Sequence, residues 1–115
     1  MKVSFEGLGE CVATFYNNAA NGARAGAPVK MSGRGEVSAC ANGERFFGAA
    51  LTGEGDYCAV QTKGYFEFAY SGTAPSFGFV KLTCNGSGGV KTDAAGGEFL
   101  VVELDTAAKV VGILL

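Results

Sequence analysis

The sequence predicts a small all-β domain that is built from two similar halves and holds little helix. Three observations lead there. Apolar and polar residues alternate along most of the 115-residue chain while helical spacing is almost absent. Glycine is abundant, at 19 residues, and proline scarce, at 2, a balance that suits short strands joined by tight turns. The chain also repeats itself, residues 78–115 restating residues 27–64. Val29-Lys30-Met31-Ser32 falls on Val80-Lys81-Leu82-Thr83, and Val37 falls on Val90. Gly43-Glu44 with Phe46 falls on Gly97-Glu98 with Phe99, and Leu51 on Leu104. A recurring period of this size marks a repeated structural unit.

The repeat divides a single β domain over residues 1–115 into four parts. An N-terminal strand and loop occupy 1–26, a first β unit 27–64, a connecting strand and hinge 65–77, and a second β unit 78–115. In the first part, residues 10–16 alternate Cys11, Ala13 and Phe15 against Val12, Thr14 and Tyr16, a strand by its branched and aromatic content. Residues 17–26 are rich in Asn, Ala and Gly and read as a loop. Pro28 starts the next strand, where its missing N–H does least harm, and Val29 and Met31 point opposite to Lys30. A Gly33-Arg34-Gly35 turn leads to a strand over 36–41. Asn42-Gly43 then makes a tight hairpin into a strand over 45–52, because this dipeptide tolerates positive φ. Strands follow over 57–63 and 65–70, the latter with Phe66, Phe68 and Tyr70 on one core-facing side. Residues 71–76 form the hinge. The second unit reads as strands over 77–84, 90–92, 98–105 and 109–115, separated by glycine turns. Its last residues, Ile113-Leu114-Leu115, belong inside a sheet, since exposing each large apolar side chain forfeits about 1.5–3 kcal/mol.

Length and charge narrow the function classes. A chain of 115 residues makes one domain able to bury roughly two-thirds of its unfolded surface. A net charge of −2 supplies no basic footprint for nucleic acid. The N-terminus lacks the apolar run of a signal peptide, and no window approaches the ~18 apolar residues of a membrane helix, so synthesis in the cytosol is expected. Cys11, Cys40, Cys58 and Cys84 show no C-x-x-C spacing and lie in strand-like runs. They read as small buried hydrophobes in a reducing compartment, although their even number also permits disulfides.

The search for chemistry returns little. The chain has no histidine, which removes the usual general base and the commonest metal ligand. The glycine-rich stretches at 7–9, 33–35 and 86–89 lead no helix and carry no P-loop lysine, so they read as turns and not phosphate cradles. Glu54 and Asp56, hard oxygen ligands in one glycine turn, lack the rest of a calcium loop. Glu103 and Asp105 share a side of a strand as paired glycosidase acids would, yet they alternate with Leu100, Val102 and Leu104 on the buried side and read as a solvent-facing strand. Tyr65 and Tyr70 are candidates for ligand stacking in an aromatic cluster whose Phe66 and Phe68 read as core. No catalytic, cofactor-binding or metal-binding residue is expected.

One resemblance spans residues 26–115. The order A-P-V, a turn, V-x-A, N-G-E-R-F-F-G-A-A-L, a glycine turn and Y-C-A-V-Q-T-K-G-Y-F-E-F resembles the capsid decoration, or cement, proteins of tailed phages and prophages. The second half is similar to theirs in its G-x-G-G turn, F-L-V-V-E-L-D strand and closing K-V-V-G-I-L-L. This chain departs from the simplest members in its four cysteines and its longer strand-like N-terminus. The resemblance implies a small β-barrel, β-tulip or β-clip-like domain, a non-enzymatic virion protein on the capsid exterior, made in the bacterial host cytoplasm. Its implied partner is the major capsid protein, and its implied state a homo-oligomer, often a trimer, with no cofactor, nucleic acid or membrane involved. Residues 1–18 become the candidate capsid contact, through Val3, Phe5 and Leu8, because a terminal strand can extend a neighbour's sheet. Two alternatives are a carbohydrate-binding or head-fibre adhesion module and an enzyme-associated β-clip accessory domain.

Overall fold

The structure, a computed structural model, describes residues 10–53 and 55–115, and these contain ten β-strands and no helix. Five strands come from the first half: β1 (Cys11–Asn17), β2 (Pro28–Gly33), β3 (Glu36–Ala39), β4 (Gly48–Ala50) and β5 (Tyr57–Lys63). They hydrogen-bond in the order β1-β3-β2-β4-β5 and close into a barrel. The other five are β6 (Tyr65–Ala69), β7 (Gly78–Cys84), β8 (Val90–Thr92), β9 (Gly97–Asp105) and β10 (Val110–Leu114). These form a second sheet in the order β6-β10-β9-β7-β8.

The two sheets share one connectivity. β2 pairs with β3 on one side and β4 on the other, as β7 pairs with β8 and β9. β5 joins β4 to β1, as β10 joins β9 to β6. A parallel pairing closes the first ring, Tyr16 beside Glu36 and Asn17 beside Val37. Its counterpart is a single parallel bridge between Tyr70 and Val90. The strands holding Val29–Ser32 and Val80–Thr83 thus take equivalent places in the two sheets, but the ladders set Met31 opposite Val37 and Cys84 opposite Val90. Structural equivalence is therefore shifted by two residues from the sequence match. An even shift keeps each side chain on its own face, which is why the apolar pattern still aligns.

The barrel core is small and includes Val29, Val37, Cys58 and Val60, with Phe15 and Phe47 packed against it. The larger core lies in the second half, around Phe68, Leu82, Val101, Val111 and Ile113. It also receives Phe46 and Ala49 from the first half. The Phe46 ring stacks on Phe99 with centroids 4.7 Å apart and meets Phe68 edge-on at 5.4 Å. The expected 45–52 strand is consequently short, reduced to β4, because Arg45 and Phe46 leave the barrel to dock on the second sheet. Gly48 is the residue that lets β4 approach β5, since a Cβ there would sit 2.7 Å from the Gln61 carbonyl oxygen.

Several other expectations are corrected. Asn42-Gly43 does not close a two-residue hairpin, because β3 and β4 do not pair with one another. That loop instead reaches β7, where the Gly43 N–H donates to Cys84 O at 2.9 Å and the Cys84 N–H to Glu44 O at 2.9 Å. Cys40 and Cys84 are joined by a disulfide across this contact, with Cα atoms 5.9 Å apart. They are not reduced core thiols. Of the other two cysteines, Cys58 is buried and Cys11 is exposed. Val29 and Met31 keep the expected alternation with Lys30 in the β2–β3 ladder, although Val29 is buried and Met31, next to the register shift, is exposed. In β9, a register shift opposite Gly112 and Ile113 splits the supposed apolar face. Val101 is the buried residue, Leu104 packs against the core, and Leu100 pairs on the other face with Leu114 and Phe79.

Candidate functional site

The most exposed regular element is the first half of β1. Residues 11–14 are exposed whichever side of the strand they occupy, although Cys11, Val12 and Ala13 are apolar. β1 pairs with β5 from Cys11 to Tyr16 but with β3 only at Tyr16 and Asn17. Among the described residues, one edge of positions 11–15 therefore has no ladder partner. Exposed edges are usually blunted with Lys, Pro or inward charges. The run Cys11-Val12-Ala13-Thr14-Phe15-Tyr16 carries none of these. Such an edge is a template for another strand.

At the far end of the same strand pair, Tyr16 and Tyr57 lie opposite each other, 58% and 59% exposed, with ring centroids 5.5 Å apart. The Tyr16 N–H donates to Gly35 O and the Asn17 N–H to Asp56 O, so both flanking turns are tied to this pair. An exposed tyrosine pair presents apolar ring faces and hydroxyls together. Alternation within β1 and β5 puts each ring outward, but only the ladder register shows that they meet. Sequence reading missed the pair for that reason.

Among the described residues, Phe77 and Phe79 are the most exposed aromatics, at 64% and 71%. Phe79 opens a row of direct cross-strand neighbours that continues through Leu100 and Leu114 to Tyr65. This row is a second apolar surface on the outer face of the second sheet.

The two tyrosines singled out for ligand stacking are placed differently. Tyr70 is 6% exposed within the larger core and offers no ring face to a ligand. Tyr65 lies across Gly112 and donates its hydroxyl hydrogen to Glu67 Oε2 at 2.6 Å. Burial, then the Glu67 hydrogen bond, raises its pKa, so the phenol stays a donor at neutral pH. Val3, Phe5 and Leu8, the candidate capsid contacts, lie outside the described residues, as does Glu54 of the acidic turn.

Three further acids, Glu103, Asp105 and Asp93, are tied to neighbouring backbone groups, whereas Asp56 of the acidic turn takes part through its backbone carbonyl. Glu103 and Asp105 line a groove of about 610 Å³ with Glu67. Asp105 Oδ1 accepts from the N–H groups of Ala107 and Ala108, both at 3.0 Å, and so caps the β9–β10 turn. Glu103 Oε1 accepts from the Leu104 N–H at 3.0 Å. Asp93 holds the turn after β8 through the Ala95 N–H, which lowers its pKa. Among the described residues, no group of three His, Cys, Asp or Glu side chains is placed to hold a metal ion. No protein-family model matches the chain, and no curated protein matches it.

Proposed function

We propose that this chain is a structural protein of a phage or prophage virion, bound to the outside of the capsid and bracing neighbouring subunits of the major capsid protein. The observation that carries this reading is the uncharged β1 edge, which has no ladder partner over positions 11–15 among the described residues. It gives a compact β body one unblunted strand with which to enter a neighbour's sheet. The family resemblance supports the same reading. So does the Cys40–Cys84 disulfide, because such bonds persist on surfaces outside the reducing cytosol and virion exteriors are among them. The proposed assembly is a homo-oligomer, a trimer on the shell.

Co-sedimentation of the purified protein with expanded shells of the major capsid protein from the same phage or prophage genome tests the proposal. Saturable binding, weakened when Val12→Lys or Thr14→Pro blunts the edge, is expected. Absence of binding to those shells rejects the reading. Full binding by a chain lacking residues 1–9 would reject the separate assignment of Val3, Phe5 and Leu8 as contacts.

The exposed Tyr16–Tyr57 pair favours carbohydrate binding as a second reading, since sugar rings stack on such faces. A glycan array separates the two. Binding that disappears in Tyr16→Ala and Tyr57→Ala would support an adhesion module, and a blank array would remove it.

A further inference from the structure

We infer that Asn21 is a site of spontaneous deamidation, selected from three Asn-Gly pairs by the way the fold engages the other two. The chemistry needs only water. The Gly22 backbone nitrogen bonds to Asn21 Cγ and gives up its proton to hydroxide, while the Cγ–Nδ2 bond breaks and Nδ2 takes a proton from water, leaving as ammonia and restoring the hydroxide. Water then opens the resulting succinimide at either carbonyl, leaving aspartate or isoaspartate at position 21.

All three pairs, Asn21-Gly22, Asn42-Gly43 and Asn85-Gly86, have the unhindered glycine that the attack requires. Their hydrogen bonding separates them. Asn85 is held at three points: its Oδ1 accepts from the N–H groups of Ser87 and Gly89 at 2.8 and 3.1 Å, and its Nδ2 donates to Ser71 Oγ at 3.0 Å. Asn42 has a free side chain, but the attacking nitrogen after it, Gly43 N, donates to Cys84 O at 2.9 Å across the disulfide-linked contact. Asn21 is exposed, and its amide makes only one bond, to Ala39 O at the long distance of 3.5 Å. The Gly22 N–H has no acceptor among the described residues. Both the electrophile and the nucleophile are therefore accessible at one pair alone. If the 3.5 Å bond at Asn21 counts for little, and each shorter bond that must first be broken slows the reaction by its ordinary net worth, Asn42 reacts about fivefold more slowly and Asn85 on the order of a hundredfold more slowly.

The product changes a structural junction. Asn21 O accepts from the Ala39 N–H at 2.9 Å, and the Asn21 N–H donates to Asn18 Oδ1 at 2.8 Å, so this residue clips the loop after β1 to the end of β3. An isoaspartate inserts a methylene between those two anchors. The new carboxylate lies in the cleft of about 460 Å³ that Asn21 lines with Arg24, Cys40 and Ser87.

Peptide mapping by mass spectrometry, on the intact chain held at mildly alkaline pH, tests the assignment at all three asparagines. The expected order is Asn21 fastest, Asn42 next and Asn85 slowest, collapsing to similar rates in denaturant. Gly22→Ala should slow Asn21 and leave the other two unchanged. Conversion of Asn42 or Asn85 ahead of Asn21 overturns the inference. An order that survives unchanged in denaturant overturns it equally, because sequence and not the fold would then set it.

Discussion

Phe46 and Phe99 stack face to face, their planes within 7° and their centroids 4.7 Å apart, although they come from opposite halves of the chain. The repeat in the sequence matches these same two residues to one another. Their partnership fastens the halves together where duplication alone would leave them side by side. Phe46→Ala should cost about 3–5 kcal/mol, as buried aromatic truncations do. Phe79→Ala, at an exposed position, should change stability by no more than about 0.5 kcal/mol. Urea denaturation of both variants checks the contrast, and a similar loss for each would contradict the core assignment.

The Cys40–Cys84 bridge closes a loop of 44 residues between the halves. Chain-entropy arguments give it about 4 kcal/mol. Denaturation with and without reductant should show a loss of that order. In the native, unreduced protein, exposed Cys11 should alkylate quickly while buried Cys58 resists until unfolding. Burial raises the Cys58 pKa and its thiol donates to Thr52 O at 3.0 Å, both of which protect it. Labelling followed by peptide mapping distinguishes the two thiols.

Gly112 lies beneath the Tyr65 ring, and a Cβ there would come within 2.7 Å of ring carbons. Gly112→Ala should destabilise by about 1–3 kcal/mol, the usual cost of overpacking. In a Tyr65→Ala background the same substitution should be nearly neutral. A double-mutant cycle measures the coupling, and purely additive effects would refute the packing explanation.

Glu44 accepts from Lys30 Nζ at 2.8 and 2.7 Å and from the Ala41 N–H at 2.8 Å. The Lys30 hydrogen bond first, then the Ala41 N–H, holds its pKa below the ordinary 4.5. A carboxyl with a depressed folded-state pKa stabilises fully above its unfolded value and loses that contribution as pH falls through the folded value. Stability should therefore drop on acidification below about pH 4.5, and drop less in Glu44→Gln. Thermal melts of both proteins across that range decide the matter. Equal slopes would show that Glu44 contributes nothing.

The all-β class was legible because alternation and glycine turns act locally, and β5 and β8 follow the expected strands residue for residue. The apolar C-terminus was legible too: Ile113 is fully buried and β10 lies between β6 and β9. Ladder register was not legible, since it depends on partners distant in sequence. That is why Leu100 and Leu104, which share a face by alternation, separate at the bulge in β9. Phe46 illustrates the same limit, because its neighbourhood reads as a strand until a distant core captures the ring. The disulfide was hidden likewise, as Cys40 and Cys84 share no spacing motif and meet only through tertiary docking. At the candidate site, sequence marked Tyr65 and Tyr70 for their aromatic company, whereas exposure favours Tyr16 and Tyr57.

Each sheet is assembled from strands contiguous in the chain, so β1 to β5 complete their hydrogen-bond ring with residue 63. During synthesis, a nascent first half can therefore close its backbone ladder before β6 has left the ribosome. Phe46 gains little from that early closure, because its partners Phe68 and Phe99 have not yet emerged. The half-made protein therefore holds an aromatic ring in water until the second sheet emerges to cover it, the kind of exposed apolar surface that makes folding intermediates prone to aggregate.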